Sequence, residues 1–112
     1  MHNVHQLRSE VEAEKVKAQM IGNQVGRIME IFVFERHDEF TWNTLTKMVN
    51  TYLDFVMHTE PDNLVDFAVQ CDVFNNAQAA TVKGDLQMDL ALKVSEKGGF
   101  IFVPVTLKSV KK

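Results

Sequence analysis

The apolar residues of this chain change period once, and that change constrains the fold more than any other feature. Val4, Leu7, Val11, Ala18, Ile21, Val25, Ile28 and Phe32 recur at steps of three and four, broken only at Glu14. That spacing draws one stripe along a helix, close to a 3.5-residue repeat. From Val65 onward the period is two. Val65, Phe67, Val69 and Cys71 share one side of a strand, against Asp66, Ala68, Gln70 and Asp72. A period of 3.6 cannot serve as a strand, nor a period of two as a helix, so the chain is helical first and a sheet second.

The helical half divides in two. Over residues 4 to 32, Glu12 and Glu14 stand three residues before Lys15 and Lys17, while Glu10 and Glu14 are a like-charge pair, so charge pairing adds little. Gly22 and Gly26 each lower helix propensity by about 1 kcal/mol against Ala. Their Gly-x-x-x-Gly step lets another backbone approach closely. The part up to Lys17 is thin in apolar residues for a core helix, and residues 1–20 read as an arm or an extended helix that packs on a partner. The run Ile31–Phe34 fits either a helix end or a short strand, and the helix end is the preferred reading. A second helix over 41–57 carries Leu45, Met48, Val49, Tyr52, Leu53 and Val56 on one face. Asp38 and Thr41 are both candidate N-caps. The helix must stop near HTEPDN, because Pro61 disfavours helix in the residue before it.

In the second half, Leu86, Met88, Leu90, Leu92 and Val94 oppose Gln87, Asp89, Ala91, Lys93 and Ser95. FIFVPVTLKS is apolar on both faces at first. Glu96–Gly99 joins these two strands as a hairpin. Pro104 has no amide donor, so the last strand is expected at a sheet edge. VFNNAQAATVKG reads as a polar connector with room for one helical turn. The order helix, helix, strand, connector, strand, strand predicts an α+β fold. Two helices pack on one face of a small, mostly antiparallel sheet of three to four strands. The chain of 112 residues reads as a single domain with a basic tail over 108–112.

Several classes of function find no footing. The net charge is −3, with no basic stripe for nucleic acid. No apolar run reaches the roughly 18 residues of a membrane span. The N-terminal residues lack the apolar core of a secretory signal. A lone Cys71 closes no internal disulfide, which suits a reducing compartment.

FERHDEFTW, residues 34–42, gathers acids, a base and a histidine and is the obvious place to look for catalysis. Yet His37 has no second spaced histidine beside it, and His2-x-x-His5 lies at a terminus. The stretch reads instead as a structural junction. Glu35 and Asp38 bridge one apolar stripe and the cap of the next, and Phe40 and Trp42 anchor the joint in the core. Cys71, with Phe67 and Val69, reads as a core-strand residue rather than a nucleophile, since Asp72 beside it disfavours a thiolate. No GxSxG, Walker or GxGxxG pattern occurs. The chain is therefore read as non-enzymatic, with no metal and no cofactor.

Assembly remains. An open last strand can accept a strand from another chain, or charges such as Lys93 and Lys108 can protect it; the residues alone leave these two readings even.

The series Phe34-Glu35, Asp38-Glu39, the helix through Leu53, Phe67-Ala68-Val69-Gln70-Cys71-Asp72, Asn75-Asn76, Gly84-Asp85-Leu86 and the closing FIFVPVTL resembles the C-terminal, inner domain of contractile bacteriophage tail sheath proteins over residues 21–110. Arg36-His37 stand where that family tends to have Pro-Asn, HTEPDN replaces a Gly-containing stretch, and a full sheath protein is several times longer. The resemblance implies a structural virion protein: a sheath subunit, or a sheath-like cap, terminator or baseplate component. Sheath subunits exchange terminal arms that add strands to one another's sheet. On this chain it implies Phe100, Phe102, Val103, Val105 and Leu107 as subunit-interface residues. It implies partners among further copies and other tail proteins (sheath, tube, baseplate), with no nucleic acid and no membrane, and a place in the virion after assembly in the host cytoplasm. The rival reading is a small cytoplasmic adaptor or regulatory domain that dimerises through residues 4–32.

Overall fold

A computed structural model describes residues 3–76 and 85–108. The first helix, α1, runs Val4–Met29 and tightens into a 3-10 turn over Glu30–Phe32. The second, α2, runs Glu39–Thr59. Three strands follow: β1 (Asp66–Gln70), β2 (Leu86–Lys93) and β3 (Ile101–Leu107). They form one antiparallel sheet in the order β1-β2-β3, so both β1 and β3 are edge strands among the described residues. Both helices pack on one face of this sheet, α1 along β3 and α2 along β1. The fold is thus the α+β arrangement that the change of period predicts. The connector expected over 73–84 lies outside the described residues beyond Asn76, as does the tail beyond Lys108.

Each helix starts where a side chain satisfies its free amides. Asn3 Oδ1 accepts from Gln6 N at 2.8 Å while Gln6 Oε1 accepts from Asn3 N at 3.1 Å, a reciprocal cap. At α2 the cap is Asp38 and not Thr41: Asp38 Oδ1 accepts from Thr41 N at 3.0 Å, and Thr41 itself is buried. That amide hydrogen bond is the main reason the Asp38 carboxyl is held below its ordinary value. The Ile31–Phe34 run is the tail of the first helix, as preferred; Phe32 is buried and Phe34 is out in solvent.

The core lies between the helices and the inner sheet face. Ala18, Val25, Met29, Leu45, Val49 and Leu53 are fully buried against Leu86, Met88, Leu90 and Leu92 of the central strand. Strand β2 alternates buried and half-buried residues along its whole length, the signature of one covered and one open face. A Cβ placed on Gly22 would lie 2.7 Å from Val103 Cγ1, so glycine at this position is what lets β3 lie so close beneath α1. The neighbour that the Gly-x-x-x-Gly step admits is therefore the chain's own last strand.

The stripe on α1 outruns the sheet. Burial begins at Ala18, while Val4, Val11 and Val16 are exposed. The helix projects beyond the domain and stretches the molecule to 53 Å in one direction against 27 and 23 Å in the others. Lys17 does not pair with Glu14 but donates to the carbonyl of Asp62 at 2.9 Å, tying α1 to the turn after α2.

Candidate functional site

The outer edge of β3 borders a groove of about 550 Å³. One wall is α1, with Gln19, Asn23, Arg27 and Glu30 standing over Gly22 and Gly26. The other wall is β3 from Pro104 to Lys108. Pro104 faces Asp89 in the β2–β3 register. A ladder residue without an N–H fits best where its nitrogen points away from the neighbouring strand. The same alternation then turns the backbone groups of Phe102 and Thr106 toward the outer edge, and Thr106 lines the groove there.

Of the two lysines considered as edge guards, Lys108 borders the groove and Lys93 does not. Lys93 belongs to the central strand, paired in register with Asp66. Lys108 Nζ reaches Asp85 Oδ2 at 3.2 Å and so points back across the sheet. The reading is corrected for Lys93, which is one strand too far in; Lys108 stays beside the edge with its ammonium on Asp85.

The five expected interface residues do not share one surface. Val103 is buried beneath Gly22, and Val105 and Leu107 are half-buried on the inner face against the core. Phe102 points to the opposite face and is 78% exposed, and Phe100, just before the strand, is 45% exposed. The side chains of Val103, Val105 and Leu107 pack into the chain's own core, so only their backbone lies near the edge.

At the junction, the structure separates residues that the sequence reading grouped. Asp38 caps α2 and Trp42 is half-buried against the core. Phe40, expected in the core, is 78% exposed, because it follows the cap by two residues and faces outward from the first turn. Glu35 is exposed, its amide bonded to the Phe32 carbonyl at 3.0 Å. His37 Nδ1 and Trp42 Nε1 are both buried without a hydrogen-bond partner among the described residues. No group of three or more His, Cys, Asp or Glu side chains gathers to hold a metal among those residues. None of their helices is long and apolar enough to cross a membrane.

Cys71 is buried, but it lies one residue past the end of β1 rather than within it. Burial is the chief cause that pushes its thiol up to about 12, despite a weak contact from Asn76 Nδ2. Phe67 and Val69 are half-buried on the inner face.

The sequence reading passed over a polar lock beside Cys71. Asn76, 1% exposed, donates from Nδ2 to the carbonyls of Gln87 (2.9 Å) and Asp72 (3.1 Å) and accepts from Gln87 N at 2.8 Å. Asn75 Nδ2 donates to Asp89 Oδ2 at 2.9 Å and to the Gln70 carbonyl at 2.7 Å. Gln87 Nε2 donates to Asp89 Oδ1 at 2.9 Å, and Thr106 Oγ1 donates to Gln87 Oε1 at 2.6 Å. This network pins the turn after β1 to β2. Its signal in the sequence was the pair Asn75-Asn76 just after a strand, a place where amide side chains replace missing ladder bonds.

No protein-family model, no curated protein and no solved structure matches this chain.

Proposed function

We propose that this chain is a structural, self-assembling component of a contractile bacteriophage tail, a sheath subunit or a sheath-like cap, terminator or baseplate part. Its β3 edge accepts a strand from a neighbouring copy or tail protein. The observation that carries the reading is the groove between α1 and β3: it runs along an edge strand, is flanked by Gly22 and Gly26, and the lysine that borders it, Lys108, is drawn onto Asp85. A strand laid there would gain main-chain hydrogen bonds to β3 and polar contacts to Gln19, Asn23 and Arg27. The role needs no catalytic group, cofactor or metal.

Electron microscopy and light scattering on the concentrated protein, alone and with tail tube protein, test this. Rings or tubes are expected. Thr106→Pro removes a donor from the outer edge and should abolish them while the monomer keeps its circular dichroism. Assembly that is indifferent to Thr106→Pro, or a wild-type chain that never passes a dimer, sinks the proposal.

One observation favours the second reading, a dimerising adaptor. Val4 and Val11 lie bare on the projecting part of α1. Val11→Asp would abolish a dimer built on that stripe and leave strand-mediated rings in place.

A further inference from the structure

The sheet face turned away from the helices is a second surface, distinct from the β3 edge. Ala68, Ala91 and Phe102 stand side by side across its three strands, in register. Ala68 and Phe102 are exposed there, so the row is a flat apolar strip with an aromatic ridge at one end. On β2, Asp89 and Lys93 lie on this same face, two residues to either side of Ala91. At about 3.4 Å per residue, each stands about 7 Å from the strip, in opposite directions. Asp89 is fixed in place by Gln87 Nε2 and Asn75 Nδ2, both at 2.9 Å.

We infer that this face joins two copies of the chain, packed sheet to sheet about a two-fold axis that runs along the Ala68–Ala91–Phe102 row. Such an axis reverses the strand direction of the second copy. Lys93 of each copy then stands over Asp89 of the other, giving two equivalent ion pairs. Alanine meets alanine between them, and the two Phe102 rings meet at one end. The other two-fold choice, an axis along the strands, would set Lys93 on Lys93 and Asp89 on Asp89. Asp66, opposite Lys93 in register on the same face, stands over Gln70 of the other copy in the first arrangement, so the charges still favour that one, and the contact is isologous and closes at two. Three strands spaced about 4.8 Å apart offer a face well short of the roughly 800 Å² per partner of a standard interface. The dimer is accordingly weak and forms at high local concentration. It does not rest on strand exchange, since a strand added at the β3 edge leaves this face open.

The test uses the full chain with Cys71→Ala. Ala91→Cys is treated with a bifunctional thiol reagent able to span packed sheets, about 10 Å apart. Asn50→Cys, on the exposed side of α2, serves as the collision control. The Ala91→Cys protein should cross-link about tenfold faster than the control, and adding Lys93→Glu should return it to the control rate. Mixing Lys93→Glu with Asp89→Lys chains should restore cross-linking between unlike chains. Should Asp89→Lys fail to fold, loss of the fast rate in molar salt replaces that arm. Cross-linking no faster than the control, or unchanged by Lys93→Glu, overturns the proposal. Neither result bears on Thr106→Pro and the tubes, so the two readings fail separately.

Discussion

Gly22→Ala and Gly26→Ala are the same chemical change one helical turn apart, and the structure assigns them opposite signs. In an exposed helix interior either substitution stabilises by about 1 kcal/mol, because alanine loses less backbone freedom on folding. At Gly26 the new methyl would meet Val105 Cγ1 at 3.6 Å, an ordinary contact, so most of that gain should survive. At Gly22 it would lie 2.7 Å from Val103 Cγ1. Val103 is 6% exposed and β-branched, with little rotamer freedom to step aside. Overpacking of this kind costs about 1–3 kcal/mol. Gly22→Ala should therefore be neutral to about 2 kcal/mol destabilising overall, and Gly26→Ala stabilising by up to about 1 kcal/mol. Urea titration resolves the difference, and each kcal/mol should move the melting temperature by about 4 °C or more. Val103→Ala would erase the gap between the two glycine variants, because it removes the methyl that Gly22 accommodates. If Gly22→Ala stabilises as much as Gly26→Ala, α1 does not rest on β3 as described, and the groove beside them loses its shape.

Three further outcomes test the rest of the architecture. Asn76→Ala strips partners from a buried amide and two carbonyls, and should cost on the order of 3 kcal/mol in chemical denaturation, far more than Asn75→Ala. Cys71 should resist thiol reagents in the folded state and react only on unfolding. Because its folded pKa is raised from 9.0 to about 12, its contribution to stability is complete below pH 9 and falls as pH rises toward 12; Cys71→Ala flattens that limb of the stability curve. Asp38 has the opposite sign: its folded pKa is lowered from 3.8, so its contribution is complete above that value and is lost as pH falls through the lower, folded one. Asp38→Asn keeps the cap and removes that acid dependence in thermal melts, whereas Asp38→Ala lowers the melting temperature throughout.

What could be read from the sequence was whatever depends on periodicity. The stripe from Ala18 to Phe32 and the alternation from Leu86 to Val94 each name a buried face, since burial repeats with the geometry of the element. Asp38 was legible for a related reason, as a cap is a local event between neighbours three residues apart. Phe40 was misplaced because hydrophobicity alone does not say which side of a first turn faces water. Lys93 was weighed as an edge guard although it lies inside the sheet, because strand order is a property of pairing between distant segments. The sequence order β1, β2, β3 happens to be the spatial order, which places Lys93 in the middle. The Asn76 network was legible only as the Asn75-Asn76 pair after a strand; its partner could not be read, because Gln87 is eleven residues away across a connector.

The same distinction bears on the assembly surfaces. A stripe predicts that a face will be covered, not by what. On α1 one stripe serves two ends: from Ala18 onward it is covered by the chain's own sheet, and at Val4 and Val11 nothing among the described residues lies beneath it. The helix is continuous across that boundary, so its projecting turns are held rigid by the packed ones. An isolated helix of the projecting length would be marginal in water. Here it needs no nucleation of its own, because the turns beginning at Ala18 already fix its backbone. A partner docking on Val4 and Val11 would therefore meet a preformed surface and lose little entropy to ordering it. The β3 edge is preformed in the same sense, its strand already held by β2 and by the Gly22 contact. Both surfaces are thus held rigid before any partner arrives, as the proposed self-assembling role would require.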